Sequence, residues 1–458
     1  MKPLVILDVV GLTPGMIGSE TPALQSLVAS GSMAPLETAF PALTLSGQAL
    51  LSTGCTPSRH GIVGNGWYDR TLAEVQFWKQ PHGLIGAPTL AERLQEFHPE
   101  LRVAHLFWWF AMYAPVHISV TPRPMYPADG RKLPDIHTHP PELRSQLQSA
   151  LGQFPLFQFW GPMAGLASTR WIATAATRIL SNERPDLSLV YLPHLDYDFQ
   201  RFGPEDPRSK RALAEVDQVV GELTAAARHV GARTLVVSEY GITRVQKAVH
   251  PNRILRANGL LSLRDELGTE RLDCGASRAF AVADHQIAHV YVRDRKDVPA
   301  VASLFRGVEG IAEVLYGDAL SAAGMDHARS GDILLVSARE SWFTYYWWLE
   351  AHRAPDYART VDIHRKPGYD PCELMFDPSL RFPRVKAMRR VLARKLGFRN
   401  LLDVIGLDPS VVKGSHGRRP DHLSEGAVII AEGLPSLPLD RGFVRATSFF
   451  EVVRELLR

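Results

Sequence analysis

Cysteine is scarce in this 458-residue chain: Cys55, Cys274 and Cys372 stand far apart and form no CxxC pair. That excludes a disulfide framework and a cysteine-rich zinc site, and it favours a reducing compartment. Neither sign of charge dominates, with 51 basic against 48 acidic residues and a net charge of +3. A nucleic-acid partner is therefore not expected. No apolar stretch reaches the length of a membrane span. The N-terminal run MKPLVILDVVGL is short, is broken by Asp8 and precedes no small-residue cleavage site, so it reads as a first buried strand rather than a signal peptide. A cytoplasmic location is the expectation. Internal repeats and low-complexity tracts are missing too.

What is there suits a globular α/β protein. Hydrophobic residues make up 45% and charged residues 22% of the chain, and its length suffices for one large domain or two modest ones. Short, almost continuously apolar runs occur at Leu4–Val10, Arg102–Phe107, Leu187–Leu192, Thr234–Ser238 and Ala427–Ala431. Such runs suit strands buried on both faces of a parallel sheet. Amphipathic helical patterns lie between them at Pro22–Ser30, Leu90–Phe97, Trp171–Leu180 and Ser209–Val230. The alternation predicts an α/β sandwich.

Two regions break the pattern. Trp108 to Pro155, rich in proline, histidine and aromatics, reads as an ordered excursion over the sheet's rim. Residues 250–401 carry their own strand signal and the aromatic cluster Trp342–Trp348, and read as an inserted cap subdomain, leaving 1–249 and 402–458 as the core. The basic stretch Arg381–Arg399 fits an amphipathic helix with a solvated cationic face better than a lipid- or nucleic-acid-binding patch.

Chemistry-bearing residues gather where strands end, the place where ligands bind in doubly wound sheets. Asp8 closes the first run, Asp196 follows VYLPHL, Glu239 follows LVVS, and His416 lies in KGSHGRRPDH ahead of the last run. Thr44 sits in a turn just before an apolar helical pattern. Carboxylates with an imidazole are the ligands divalent cations take, and a hydroxyl beside them is the nucleophile such a cation activates.

The segment PALTLSGQALLSTGCTPSRHGIVGN, Pro41 to Asn65, together with YLPHLDYDFQRFGP, SEYG and GSHG, resembles the alkaline phosphatase superfamily, in particular its type I phosphodiesterase/nucleotide pyrophosphatase branch. More narrowly, the chain is similar to the phosphatase-like member of ebo-type bacterial biosynthetic operons. The resemblance implies an alkaline-phosphatase-like three-layer α/β/α sandwich with an inserted cap. It also implies a metal-dependent phosphohydrolase acting on a small-molecule phosphate ester, with Thr44 as nucleophile and Asn65 binding the phosphate by donating a hydrogen bond to it. Asp8, Thr44, Asp196, Glu239 and His416 take the places of metal ligands.

Two imidazoles of the family pattern are replaced, one by Gln200 and one by Tyr240. The oxygen-rich remainder shifts preference from Zn²⁺ toward Mg²⁺ or Mn²⁺, one or two ions. Further ligands are available in His194, Asp198, Asp284, His285 and His364, with Asp135, His137 and His139 less favoured. The alternative is an altered member of the fold that binds a ligand or partner without phosphoryl transfer.

Overall fold

A computed structural model describes residues 1–128, 130–398 and 400–458. An eight-stranded sheet forms its centre, in the order Gly31–Pro35, Val428–Glu432, Arg233–Val237, Leu4–Val9, Leu187–Leu192, Val103–Leu106, Ile118–Pro122 and Ile136–His139. Leu4–Val9 pairs in parallel with both Leu187–Leu192 and Arg233–Val237. Val103–Leu106 continues the parallel set to Ile118–Pro122. Val428–Glu432 and Ile136–His139 run antiparallel to their neighbours. All six residues of Leu4–Val9 and of Leu187–Leu192 are buried, which is why these strands read as unbroken apolar runs rather than alternating ones. Separate apolar cores fill the two faces, making the mixed α/β sandwich the sequence anticipates. Among the described residues, no helix is long and apolar enough to cross a membrane.

The five strand expectations and the four helix expectations each coincide with an element, and Leu90–Phe97 matches to the residue. The Trp108–Pro155 stretch is corrected. Instead of passing over the rim it contributes the strands Ile118–Pro122 and Ile136–His139 and the helix Glu142–Leu151. Proline closes the first of these strands, at its end, where a lost backbone donor interrupts no further pairing, and the second is the sheet's edge.

A second sheet, all antiparallel, is ordered Ala279–Asp284, Ile287–Val292, Ile333–Ser337 and Ile311–Tyr316. The aromatics Phe343, Tyr345, Tyr346, Trp347 and Trp348 are buried in its core, and Trp342 is buried in a separate cluster with Val245, Cys372 and Val404. The tip of its first hairpin, at His285 and Gln286, reaches the loop that leads into the central strand Val428–Glu432: Gln286 N–H donates to the His416 carbonyl at 2.8 Å. Gly417, at φ +128°, permits that approach, because a Cβ there would lie 3.0 Å from the Gln286 nitrogen.

The basic stretch forms the helix Pro383–Lys395. Its last expected residue, Arg399, lies outside the described residues. The solvated cationic face is only half of what this helix presents, since Val385, Met388, Val391 and Leu392 are exposed as well.

Candidate active site

Four elements bring the acids and the hydroxyl together. Asp8 lies near the end of Leu4–Val9, and Glu239 and Tyr240 directly follow Arg233–Val237. Asp196 occupies the first turn of the helix His194–Phe202, and Thr44 opens the helix Thr44–Thr53.

Asp8 and Glu239 form one cluster with a residue the motifs do not flag. The Gln48 side-chain amide donates to Asp8 Oδ2 and to Glu239 Oε1, both at 2.9 Å. Gln48 Oε1 accepts from the Trp109 backbone N–H at 2.8 Å, which fixes which end of the amide faces the acids. Gln48 lies four residues after Thr44, on the same helix face. That spacing is the signal by which it could have been found.

Glu239 reaches this position because Gly47 leaves it room. A Cβ on Gly47 would lie 2.7 Å from Glu239 Cβ and 3.1 Å from its Cγ. Gly47→Ala is therefore expected to destabilise the protein. Overpacking costs about 1–3 kcal/mol against a helix-propensity gain of about 1 kcal/mol. Chemical denaturation checks this, and an unchanged midpoint would show that the helix yields easily.

Burial pushes both acids of the pair upward, and the charge of Asp8 pushes Glu239 further, so the pair keeps a proton near neutrality. Asp8 Oδ1 and Glu239 Oε2 are buried without a hydrogen-bond partner.

The second cluster surrounds Asp196. Gln200 Nε2 donates to Asp196 Oδ2 at 2.8 Å, and Gln200 Oε1 accepts from the Tyr369 hydroxyl at 3.0 Å. Nδ1 of His416 lies 2.7 Å from the Ala42 carbonyl oxygen, a contact that requires Nδ1 to carry the proton. Burial holds the ring well below its usual pKa, so it is neutral and its Nε2 is left as a lone-pair donor. That Nε2 is 3.7 Å from Asp196 Oδ1, another buried atom without a hydrogen-bond partner. Burial raises Asp196 to about 7, and the hydrogen bond from Gln200 and the charge of Arg201 lower it only in part.

Tyr240 joins the clusters. Its hydroxyl is 3.0 Å from Thr44 Oγ1, and its ring stacks on His416 with centroids 3.7 Å apart. His285 lies 3.9 Å from His416, and Tyr369 stacks on His285 at 3.6 Å. Four rings thus form a column beside Thr44. His285 has φ +59°, a strained value for a residue other than glycine, at the tip of the hairpin that delivers it. Its Nδ1 lies 3.1 Å from Asp284 Oδ1.

Several expected ligands are placed elsewhere. His194 and Asp198 do not flank Asp196 on one side of a strand. The segment is helical, so residues two apart diverge by about 200°. His194 Nε2 pairs with Glu215 at 2.9 Å, and Asp198 pairs with Arg201 at 3.0 Å. The Gln200 carbonyl is engaged by Tyr369 rather than free for a cation. Asn65 holds the Thr44 turn instead of facing the pocket: its Oδ1 accepts the Leu45 N–H at 3.1 Å and its Nδ2 donates to Asp284 at 3.1 Å. Asp284 is accordingly tied to Asn65, not to either acid pair. His364 lies on the pocket wall, with Nδ1 3.4 Å from the Phe77 carbonyl oxygen. Asp135 pairs with Arg144 at the sheet's edge, and His137 and His139 lie on the edge strand beside it.

The expected metal set is thus divided into the pairs Asp8–Glu239 and Asp196–His416. Among the described residues, no group of three or more His, Cys, Asp or Glu side chains is arranged around a metal position. The orphaned oxygens still fit a hard divalent cation, which takes one or two carboxylates and completes its shell with water and substrate oxygens.

Thr44, Asp196, Tyr240, His285 and His416 line the floor of a cavity of about 1340 Å³. Buried titratable groups make this region sensitive to pH in both directions. Asp196 and Asp284 both rise from 3.8 to about 7 on burial. Each therefore binds more protons folded than unfolded between about pH 4 and 7, and contributes stability that is present below that window and lost across it. Buried histidines, His60 and His105 lowered to about 3 among them, contribute the opposite trend. The carboxyl contribution is isolated by substitution: relative to wild type, the Tm of metal-free Asp196→Asn is expected to rise from about pH 4 to 7. A difference that stays constant across that range contradicts the shift at Asp196.

A family model described as type I phosphodiesterase / nucleotide pyrophosphatase matches residues 4–370. No curated protein matches the chain in sequence. Among solved structures, phosphonoacetate hydrolase from Sinorhizobium meliloti in complex with phosphonoformate is 16% identical with a TM-score of 0.62, covering 99% of this chain and 96% of its own. An inactive variant of murine ectonucleotide pyrophosphatase/phosphodiesterase 5 in complex with AMP is 12% identical with a TM-score of 0.60, covering 100% and 95%. The human counterpart is 11% identical with the same TM-score and coverage. At such identities these structures establish the shared fold alone.

Proposed function

The chain belongs to the type I phosphodiesterase / nucleotide pyrophosphatase family, and from that membership and the pocket floor we propose that it is a phosphohydrolase with Thr44 as its nucleophile. The observation that carries this reading is the contact between Thr44 Oγ1 and the Tyr240 hydroxyl at 3.0 Å, on a pocket floor shared with Asp196 and His416. The substrate is a small-molecule phosphate ester, in line with a role in a biosynthetic pathway, and residues 250–401 act as the cap over the pocket.

The chain's own residues supply a route for the nucleophile's proton. Thr44 Oγ1 forms a bond to phosphorus while the bond from phosphorus to the leaving oxygen breaks. The Thr44 proton passes to the Tyr240 oxygen as Tyr240 gives its own to Asp196, whose buried Oδ1 is without a hydrogen-bond partner. The leaving oxygen takes a proton from water. A second displacement, by water, releases phosphate, and the proton returns to Thr44 along the same path. Asp196, raised to about 7, is matched to this task near neutral pH. Tyr240 is held well above the usual tyrosine range by burial, so it relays a proton without remaining ionised.

A divalent cation, Mg²⁺ or Mn²⁺ in preference to Zn²⁺, would be held by Asp8, Glu239 and the Thr44 hydroxyl, with Asp196 and His416 as a second pair. Bound there, it supplies positive charge that eases hydroxyl deprotonation and offsets charge building on phosphate.

Purified protein supplied with Mn²⁺ or Mg²⁺ is expected to hydrolyse an activated phosphodiester. The second reading, a ligand- or partner-binding protein without phosphoryl transfer, is favoured by the Gln48 amide between Asp8 and Glu239. It prevails if the protein binds no divalent cation by calorimetry and turns over no ester with any metal.

A further inference from the structure

The pocket is far larger than a phosphate requires, and its lining is mostly apolar: Trp78, Trp109, Phe159, Trp160, Met163 and Phe376 contribute to it, beside the charged Lys132, Asp362 and Arg365. Its mouth is bounded by the helix Pro383–Lys395 and the segment after it, through Ala387, Val391, Phe398 and Leu401. The helix turns a different stripe outward. Val385, Met388, Leu392 and Leu396, spaced three or four residues apart on one face, are all exposed, Met388 at 65% and Leu396 at 69%. Phe382 and Phe398 extend the stripe at either end. Lys386 and Arg390 both pair with Asp403, anchoring the helix along its other side.

Exposed apolar side chains of this number on one helix mark an interaction surface rather than scattered surface residues. Charge identifies its partner. Residues 381–399 hold eight basic and no acidic side chains, in a chain whose net charge is +3. Arg384 and Arg389 are exposed beside the apolar stripe. Apolar side chains interleaved with cationic ones on a surface helix suit the headgroup boundary of an anionic bilayer. A nucleic-acid groove would leave the apolar stripe in water.

We propose that this face docks on an anionic lipid surface and that the cavity behind it takes the apolar chain of a phosphate ester drawn from that surface. The docking stands by itself. The substrate class rests on the phosphohydrolase reading, and the two are tested separately.

The Thr44→Ala protein, which needs no turnover, is floated with phosphatidylcholine vesicles with and without phosphatidylglycerol. It is expected to bind only the anionic vesicles and to release as salt rises. Arg384→Gln with Arg389→Gln should lower partitioning about 25-fold, from roughly 1 kcal/mol per surface cation. Met388→Asp with Leu392→Asp should lower it at least as far, with Tm unchanged. Absence of binding to anionic vesicles at low salt overturns the docking, as does binding that neither double variant weakens. So does a dimer that the Met388→Asp/Leu392→Asp variant dissociates while no vesicle is bound, which makes the face a contact between two copies.

For the cavity, Thr44→Ala is titrated with alkylphosphonates of increasing chain length, followed by tryptophan fluorescence. Affinity is expected to rise about three- to fourfold per methylene, from roughly 0.8 kcal/mol per buried CH₂. Affinity independent of chain length overturns the cavity assignment. Vesicle and alkylphosphonate binding without ester turnover by the wild-type protein supports this inference and removes the phosphohydrolase reading instead.

Discussion

Replacing Thr44 with alanine is expected to lower turnover of an activated phosphodiester by about 10³-fold or more, while leaving the fold intact. Removal of an attacking hydroxyl takes away covalent chemistry that no neighbour replaces, and losses of this size or greater accompany such changes in other enzymes. The hydroxyl contacts Tyr240, and Thr44 is the first residue of its helix rather than part of a packed core stripe. Thr44→Ala therefore creates little cavity and should change Tm only slightly. Activity and thermal unfolding measured on one preparation separate the two effects. Thr44→Ser should retain measurable turnover, since it keeps the oxygen. Full activity in Thr44→Ala would remove Thr44 from the mechanism.

Tyr240→Phe is the second large effect. It deletes one oxygen, the one that contacts Thr44 and is proposed to relay its proton to Asp196, and leaves the ring stacked on His416. Loss of a positioned proton relay costs about 10²–10⁴-fold. The pH dependence discriminates this role from simple packing. In the wild-type protein, kcat/KM should rise with pH and then level off, as Asp196 loses its proton and becomes able to accept one. Tyr240→Phe should flatten that limb as well as lower the rate. A uniformly reduced profile with the limb unchanged would assign Tyr240 to packing alone.

Much of the frame was legible in the sequence, because buried parallel strands advertise themselves as continuous apolar runs. Leu4–Val9 and Leu187–Leu192 stand almost where the runs place them. Ile118–Pro122 and Ile136–His139 were hidden because both are short, and proline and histidine dilute their apolar signal.

At the site, the residues named by motif do gather near Thr44, but sequence spacing misjudged their partners. His194 and Asp198 were counted with Asp196 on the assumption of an extended segment, and a helical start to that segment turns them away. Gln48 was overlooked because an amide carries no charge and matches no ligand motif. Tyr369 was overlooked because it meets Gln200 and His285 only through tertiary folding, across a sequence separation of 169 residues from Gln200. The two lost imidazoles were read as missing ligands. In the structure Gln200 holds Asp196, and Tyr240 contacts the Thr44 hydroxyl and stacks on His416.

The central claim is that phosphorus becomes covalently attached to Thr44. Acid-quenching the protein during turnover of a phosphate ester, followed by peptide mass spectrometry, tests it most directly. The account predicts a phosphoryl adduct on the peptide containing Thr44, absent from Thr44→Ala. Sustained turnover with no adduct at Thr44, or with an adduct on another residue, would contradict it.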